Sequence, residues 1–435
     1  MNIPSLSLVF AAAFVAAAVV GTTLRLWLAA RQIRAVTAHR DAVPEAFAAR
    51  IPLVDHQKAA DYTVATVRFG RIALLVDLIV TLALTVGGGV GLIDALLQRS
   101  EWSQPWRGAL VILTVVCVTA VIDLPFSVWR TFKLEARFGF NRTTPKLFLM
   151  DLAKSCLLAL VLGGAVVLGA LTLMEHAGRF WWLWAWLGWL GLMLLMTWAW
   201  PAFIAPLFNK FSALKDTELK TRIESLLQRC GFAARGVFVV DGSRRSSHGN
   251  AYFTGLGRNK RIVFFDTLLE RLTHPEVEAV LAHELGHFRL KHVRKGLLLG
   301  VVASFVALAL LGWLATQPAF YSAFGVSTPS SHTVLLLFMF VLPAFTFFAT
   351  PIGSLRSRRH EFEADDFAAQ HASADELATA LVKLYKDNAS TLTPDRLYST
   401  FYYSHPPATE RIAHLRRNKV EVDSLPDTLD RPVRV

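Results

Sequence analysis

The 435-residue sequence has few cysteines and few charged residues. Its three cysteines, Cys117, Cys156 and Cys230, show no Cys-x-x-Cys or paired spacing. This absence argues against a disulfide framework and against a cysteine-based metal site. Charged residues make up only 18% of the chain, whereas hydrophobic residues make up 54%. Soluble domains carry about 25% charged residues, so the composition indicates an integral membrane protein.

Acidic residues are also in the minority, and the net charge of +12 raises the question of nucleic acid binding. The distribution of the basic residues argues otherwise. Segment 31–71 holds seven Lys and Arg, whereas 316–332 holds none. Such an asymmetry between loops is typical of membrane topology. We therefore predict contact with membrane lipid and no nucleic-acid partner.

Long apolar stretches predict a mainly α-helical, polytopic membrane protein with seven spans, because a spanning helix needs about 20 apolar residues. The candidate spans are residues 6–29, 72–96, 108–129, 153–174, 181–205, 297–315 and 333–352. The basic residues that follow the first span predict an outside N-terminus and a cytoplasmic C-terminus. The predicted organisation is 1–208 for five spans, 209–296 for a catalytic segment, 297–352 for two spans and 353–435 for a second catalytic segment.

A His-Glu-x-x-His motif lies in "AVLAHELGHFRLKH", residues 279–292. We predict a helix that begins near Pro275 and runs through His292, since proline suits a first helical turn. His283 and His287 then share one face, and two imidazoles at that spacing can bind one zinc ion. Glu284 would act as the general base on the attacking water. The motif alone leaves open that both histidines are ordinary buried side chains.

A catalytic zinc ion normally takes three protein ligands, and the stretch "SRRHEFEADDFAA", residues 357–369, offers a third. Glu361 and Asp365 lie four apart on one helix face. A glutamate ligand and an aspartate that orients an imidazole fit this spacing. Glu363 is a rival ligand on its chemistry alone. A solvated acidic face is the simpler alternative.

Together these motifs resemble the type I CAAX prenyl protease family of seven-span integral-membrane zinc endopeptidases. Glu361-Phe-Glu-Ala-Asp365 matches the Glu-x-x-x-Asp signature of that family. Similar stretches are "FGFNRTT" at 138–144, "PLFNKF" at 206–211, "DGSRRSSHGNAYFTGLGRNKRIVFFDTLL" at 241–269 and "YYSHPPATERI" at 402–412. The resemblance implies one zinc ion per chain, with Glu361 as third ligand and Asp365 as partner of His283. It also implies a zincin-like catalytic domain with a small β-sheet on the cytoplasmic side.

Two further sites follow from the resemblance. Asn250, Ala251 and Tyr252 lie between the β-like runs 237–240 and 261–265, and the resemblance implies a strand edge that binds an extended peptide. An ordinary hairpin turn is the alternative.

His405 and Arg411 form the other implied site. His405 would stabilise the oxyanion of the reaction. Arg411 would support it or bind the C-terminal carboxylate of the substrate. The alternative for Arg411 is a solvated position in a helix that opens at Pro406-Pro407.

The family removes the last three residues of proteins that carry a prenylated cysteine, which predicts a peptide or lipidated protein as substrate. A membrane quality-control protease with the same chemistry is a second hypothesis. A transporter or scaffold with structural zinc is a third, for which Asp77, Asp94 and Asp123 are candidate intramembrane acids. A composition rich in Ala, Leu and Arg, without a clear retention signal, favours a bacterial inner membrane over the endoplasmic reticulum.

Overall fold

The computed structural model describes residues 5–98, 102–232, 236–254 and 261–423. Its helices are α1 (Leu6–Ala38), α2 (Glu45–Ala48), α3 (Leu53–Leu84), α4 (Gly89–Leu97), α5 (Trp106–Trp129), α6 (Pro145–Leu158), α7 (Gly164–His176), α8 (Trp181–Ala199), α9 (Ala205–Phe208), α10 (Thr217–Arg229), α11 (Asp266–Leu269), α12 (His274–Arg289), α13 (His292–Leu314), α14 (Pro318–Ala323), α15 (Ser331–Thr346), α16 (Thr350–His371), α17 (Ala374–Asp387), α18 (Arg396–Tyr402) and α19 (Ala408–Asp423). Short π-helical segments join or extend them at Arg130–Glu135, Ala159–Gly163 and Trp200–Ile204, and 3₁₀ turns lie at Gly178–Phe180, Gly242–Arg244 and Phe347–Ala349. The strands are β1 (Phe211–Ala213), β2 (Gly236–Val240), β3 (Ala251–Thr254) and β4 (Arg261–Phe265).

The described chain divides into two compact units. The membrane unit is formed by Met1–Ala30, Ala65–Phe208 and Gly296–Thr350, and the polar unit by Arg31–Val64, Asn209–Lys295 and Pro351–Val435. Residues 424–435 of the predicted second catalytic segment lie outside the described residues. Segment 31–64 belongs to the polar unit, although its sequence reads as a loop between spans. The predicted domain boundaries stay a prediction.

Six helical stretches among the described residues are long and apolar enough to cross a membrane. They are Leu6–Ala38, Trp106–Glu135, Pro145–His176, Gly178–Phe208, His292–Leu314 and Ser331–His371. The pair α3 and α4, bent by 53°, adds a seventh if it counts as one span. The protein itself buries only 6–33% of each apolar window. The prediction of a mainly helical multi-pass membrane protein is confirmed, and the predicted number of seven spans is reached if α3 and α4 count as one span.

The second span differs from the continuous stretch predicted at 72–96. Helix α3 ends at Leu84, and α4 begins at Gly89. Gly88 has a φ of 74°, which is left-handed, and a Cβ on Gly87 would lie 2.6 Å from the carbonyl oxygen of Ala83. Only glycine tolerates such a turn without strain. Hydropathy alone does not reveal the break, because the whole stretch is apolar.

A polar pair is buried inside the membrane unit. Asp94 Oδ1 lies 2.8 Å from His332 Nε2, and both side chains are buried. Asp77 and Asp123, the other two acids considered for transport, are exposed on the surface of the unit. Asp94 therefore has a structural partner.

A small mixed β-sheet lies in the polar unit, with strand order β1-β2-β4-β3. Strands β2 and β4 run parallel, from Gly236 opposite Arg261 to Val240 opposite Phe265. The outer pairs, β1 with β2 and β3 with β4, are antiparallel. The β-like runs at 237–240 and 261–265 are confirmed as β2 and β4. Because β3 pairs only with β4 among the described residues, it is an edge strand of the sheet as described.

Helix α12 is held in the core of the polar unit. Its start is a capping box, in which the backbone N–H of Thr273 donates to Glu276 Oε2 at 2.7 Å. Apolar side chains from Val277 to Leu285 are buried in one cluster with residues of α10 and α17. A buried helix of this kind provides a rigid support for polar side chains at its C-terminal end.

Candidate metal centre

His283 and His287 lie side by side on α12, as their spacing predicts. Their Nε2 atoms are 3.2 Å apart. His283 is buried and His287 is half-buried. Two imidazole nitrogens thus face one point at the end of a buried helix.

Glu361 of α16 completes this group. Its Oε1 lies 3.3 Å from His287 Nε2, and its Oε2 lies 3.5 Å from His283 Nε2. Gly286 permits the close approach of the two helices, since a Cβ there would lie 3.0 Å from the Ala364 Cα. Glu361 is only 3% exposed.

The donor set fits zinc in both geometry and chemistry. Tetrahedral zinc with bonds of 2.0–2.1 Å separates its ligand atoms by about 3.3 Å. The three separations here are 3.2, 3.3 and 3.5 Å. Glu361 Oε2 is buried and makes no hydrogen bond; His405 Nδ1 and Arg411 Nη1 lie 2.7 and 3.4 Å from it, and a bound cation would satisfy it more fully.

Asp365 and Arg411 support His283 on the Nδ1 side of its ring, away from the Nε2 atom that faces Glu361. Asp365 Oδ1 lies 2.8 Å from His283 Nδ1, so Nδ1–H donates to the carboxylate and the lone pair of Nε2 is left for a metal. Arg411 of α19 donates to both oxygens of Asp365, from Nε at 2.8 Å and from Nη2 at 2.6 Å. Both side chains are buried.

The charge around His283 favours a proton on its ring when no metal competes for it. Burial and Arg411 oppose that proton, but hydrogen bonds to Asp365 and Glu361 outweigh them and raise the pKa of His283 to about 9. A metal ion at His283 would therefore compete with a proton.

Glu284 follows His283 on α12 and is half-buried. Within the described residues, its carboxylate has no hydrogen bond or ion pair. A carboxylate that no neighbour neutralises remains available as a proton acceptor.

His405 and Arg411 occupy different environments. The His405 side chain is 65% exposed, and its Nδ1 lies 2.7 Å from Glu361 Oε2, without hydrogen-bond geometry. Arg411 is 5% exposed. Its guanidinium is occupied by Asp365, and its Nη1 also lies 3.4 Å from Glu361 Oε2.

The predicted peptide-binding residues lie at the start of the edge strand β3. Asn250 precedes the strand, and its carbonyl oxygen accepts from the N–H of Phe265 at 3.0 Å. Its side chain accepts from the N–H of Ala251 at 2.8 Å. Tyr252 stacks edge-on against Phe265, at 6.3 Å between ring centroids. None of these described contacts reaches the metal-binding group.

The helix predicted to run through His292 ends earlier, which is a correction. Helix α12 stops at Arg289, Lys291 has a left-handed φ of 59°, and His292 begins α13. His292 then lies with its Nδ1 3.1 Å from His287 Nδ1. Helical periodicity does not predict this contact, because a residue five positions on points away from His287 in an unbroken helix.

Glu363, the rival third ligand, lies away from the first group. Its Oε2 is 2.9 Å from His292 Nε2. Together with His292 and His360 it forms a second cluster of possible ligands, separate from His283, His287 and Glu361.

Comparison with known proteins agrees with this arrangement. A family model described as "CAAX prenyl protease N-terminal, five membrane helices" matches residues 32–210, and "Peptidase family M48" matches 213–419. The CAAX prenyl protease 1 homolog of Caenorhabditis elegans is 33% identical, over 90% of this chain and 95% of its own length. The chain belongs to the CAAX prenyl protease family of M48 peptidases.

Other members of the CAAX prenyl protease family extend the likeness to sequence and fold. CAAX prenyl protease 1 of Saccharomyces cerevisiae is 38% identical, over 68% of this chain and 69% of its own. The crystal structure of S. mikatae Ste24p has a TM-score of 0.87 and 30% identity, and the match covers 95% of this chain and 100% of that one.

Membership of the CAAX prenyl protease family decides between the protease hypothesis and the hypothesis of a transporter or scaffold with structural zinc. The chain is an integral-membrane zinc metalloprotease, so the transporter or scaffold hypothesis is set aside. The preference for a bacterial inner membrane finds no support, since the relatives reported above are all eukaryotic.

Replacement of Asp365 by Ala tests the buried support of His283. The change leaves the guanidinium of Arg411 buried without its main partner, and we expect a loss of about 3–5 kcal/mol of stability. Zinc affinity is expected to fall about 10- to 100-fold, because His283 loses its acceptor. Thermal unfolding in detergent and chelator competition measure the two effects. Asp366→Ala is the control, since that carboxylate pairs with the half-buried His414; equal effects in both variants would contradict the prediction.

Proposed function

We propose that this protein hydrolyses a peptide bond near the C-terminus of prenylated proteins. The main support is the arrangement of two imidazoles and one buried carboxylate, whose nitrogen and oxygen atoms lie 3.2–3.5 Å apart. It occurs in a chain that matches a relative named CAAX prenyl protease 1 homolog along 90% of its length.

In this proposal, one zinc ion per chain is held by His283, His287 and Glu361. Zinc, when bound, supplies a Lewis acid that polarises the scissile carbonyl and makes water more acidic. Glu284 takes the proton of the attacking water and passes it to the leaving amine. The absence of a partner for Glu284 among the described residues supports that role. No serine or cysteine nucleophile takes part.

His405 and Arg411 have distinct roles in the proposal. The exposed His405 would donate to the oxyanion of the substrate, and its distance of 2.7 Å to Glu361 supports a position beside the reacting carbonyl. Arg411 holds Asp365 and, through it, His283. Its burial favours this supporting role over direct contact with a substrate carboxylate.

The substrate peptide is proposed to lie along β3. An edge strand offers unpaired backbone N–H and C=O groups to an extended chain, and within the described part of the chain β3 has one neighbour in the sheet. Asn250, Ala251 and Tyr252 would contact the residues near the scissile bond.

The proposed topology has the N-terminus outside and the polar unit with its metal centre on the cytoplasmic side. The distribution of Lys and Arg supports it, since the loops assigned to the cytoplasm carry most of them. A lipid-linked substrate then remains at the membrane surface, and its isoprenoid stays in an apolar environment during cleavage.

A farnesylated CAAX peptide and its unprenylated twin test the substrate class. We expect kcat/KM to be at least about 100-fold higher for the farnesylated peptide, equivalent to the burial of three or four CH₂ groups at about 0.8 kcal/mol each. Both peptides are assayed with zinc-loaded protein in the same lipid vesicles. Equal cleavage would favour the quality-control protease, because only the lipid differs between the two substrates.

A further inference from the structure

A third histidine contacts the metal-binding group through His287. His292 is buried at the start of α13, with its Nδ1 3.1 Å from His287 Nδ1. The left-handed Lys291 lets the chain turn back after α12 and brings the two rings together. Their centroids are 5.2 Å apart and their planes are inclined by 74°. His287 therefore has a specific partner on the nitrogen that faces away from Glu361.

The direction of this hydrogen bond follows from proton counting. A His287 ring that offers the Nε2 lone pair to a metal carries its proton on Nδ1. Nδ1–H must then donate, so His292 Nδ1 accepts. The proton of a neutral His292 consequently lies on Nε2, where Glu363 Oε2 accepts it at 2.9 Å. Each donor in the series from His287 through His292 to Glu363 thus has an acceptor.

Glu363 and His360 fix the position of His292. Arg359 Nε donates to Glu363 Oε1 at 3.1 Å and leaves Oε2 for His292. The ring of His360 stacks on His292 at 4.0 Å, with planes inclined by only 4°. The His292 imidazole is thus fixed by its hydrogen bond to Glu363 and by stacking against His360.

A second metal site is the rival explanation for His292, His360 and Glu363, whose ligand atoms lie within 4.8 Å of one another. Stacked parallel rings direct their nitrogen lone pairs side by side, so they converge poorly on one ion. Both nitrogens of His292 also have hydrogen-bond partners already, in His287 and Glu363. The geometry favours a chain of hydrogen bonds over a metal cage.

We infer that His292, anchored by Glu363, is a positioning residue that orients His287 as a metal ligand. The inference rests on the proposed function, because it takes His287 as a ligand of the catalytic zinc. The two histidine ligands then differ in their support. His283 donates directly to the buried carboxylate of Asp365, whereas His287 donates to a neutral imidazole. Partners of this kind fix ring orientation and tautomer, and their loss weakens metal binding.

The test measures the zinc dissociation constant by chelator competition on the full-length protein in detergent, without any peptide. His292→Phe keeps a flat ring but removes the acceptor, and we expect the Kd to rise about 10- to 100-fold. His292→Asn is the conservative variant, since its Oδ1 takes the place of Nδ1, and it should recover most of that loss. His360→Phe removes the imidazole nitrogens but keeps a stacking ring, and it should raise the Kd less than His292→Phe does.

Three results would overturn the inference. One is a folded His292→Phe protein with the wild-type Kd. Another is a His292→Asn protein as weak as His292→Phe, which would reduce His292 to a packing role. The third is a second bound zinc that disappears in His360→Phe. If His292→Phe does not fold, Glu363→Ala removes the acceptor of His292 and should also raise the Kd, and an unchanged Kd there would count against the inference. Since no peptide is present, failure to cleave a prenylated substrate would be seen separately.

Discussion

Replacement of Glu284 by Gln is expected to lower kcat by about 10²- to 10⁴-fold, the range of general acid–base catalysis, with zinc still bound at one ion per chain. Gln has nearly the same shape as Glu but does not accept a proton at neutral pH. His283, His287 and Glu361 are unchanged, so the metal-binding group itself should persist. The result would separate proton transfer from metal binding.

Activity and zinc content of the Glu284→Gln protein are measured together, with Glu278→Gln as the matched control. Glu278 lies on the same helix, but its carboxylate pairs with Arg229 at 2.6 Å and with Arg222 at 3.5 Å. That variant should retain activity close to wild type. A Glu284→Gln protein that keeps its zinc and cleaves within tenfold of the wild-type rate would remove Glu284 as the base.

The features that the sequence predicts best are those with a strong local signal. Apolar runs of about 20 residues identify the spans, because the thickness of a bilayer sets their length. The pairs His283 with His287 and Glu361 with Asp365 are also local, since residues four apart on a helix share a face. In both pairs the structure brings the two side chains into one cluster.

Features that depend on a break in a helix were harder to predict. Lys291 adopts a left-handed conformation, which its residue type does not signal, so helical periodicity predicts the end of α12 at His292 instead of Arg289. The contact between His287 and His292 was missed for that reason. At the second span a run of glycines was the signal available, but it lies within an apolar stretch that reads as one span.

Contacts between residues that are far apart in sequence are also difficult to predict. Arg411 lies 46 positions from Asp365, and only the packing of α19 against the core makes the pair. In sequence, an arginine near the start of a helix reads as solvated. Segment 31–64 belongs to the polar unit through a long-range contact of the same kind. Asp395, at the start of α18, accepts two hydrogen bonds from Arg31.

Replacement of Glu361 by Gln is expected to weaken zinc binding by more than about 100-fold. Loss of a residue that only orients a metal ligand weakens binding by up to about 100-fold, and loss of a ligand should weaken it more. Glu361 is the one carboxylate in the group with His283 and His287. An amide keeps the shape but loses the charge that balances a divalent cation and the nearby Arg411, whose Nη1 lies 3.4 Å away. Zinc content after dialysis against a chelator measures the effect, and peptidase activity should fall with it.

Glu363→Gln provides the matched comparison, because Glu363 was the rival ligand two positions along the same helix. Its Oε2 contacts His292 and not the first group. The amide oxygen of Gln still accepts the proton of His292, so zinc affinity should change far less than in Glu361→Gln. The opposite order, with zinc lost from Glu363→Gln and kept by Glu361→Gln, would assign the third ligand to Glu363. It would also require α16 to turn by about 200° from its present face, since successive helical residues are 100° apart, and that rotation would withdraw Asp365 from His283.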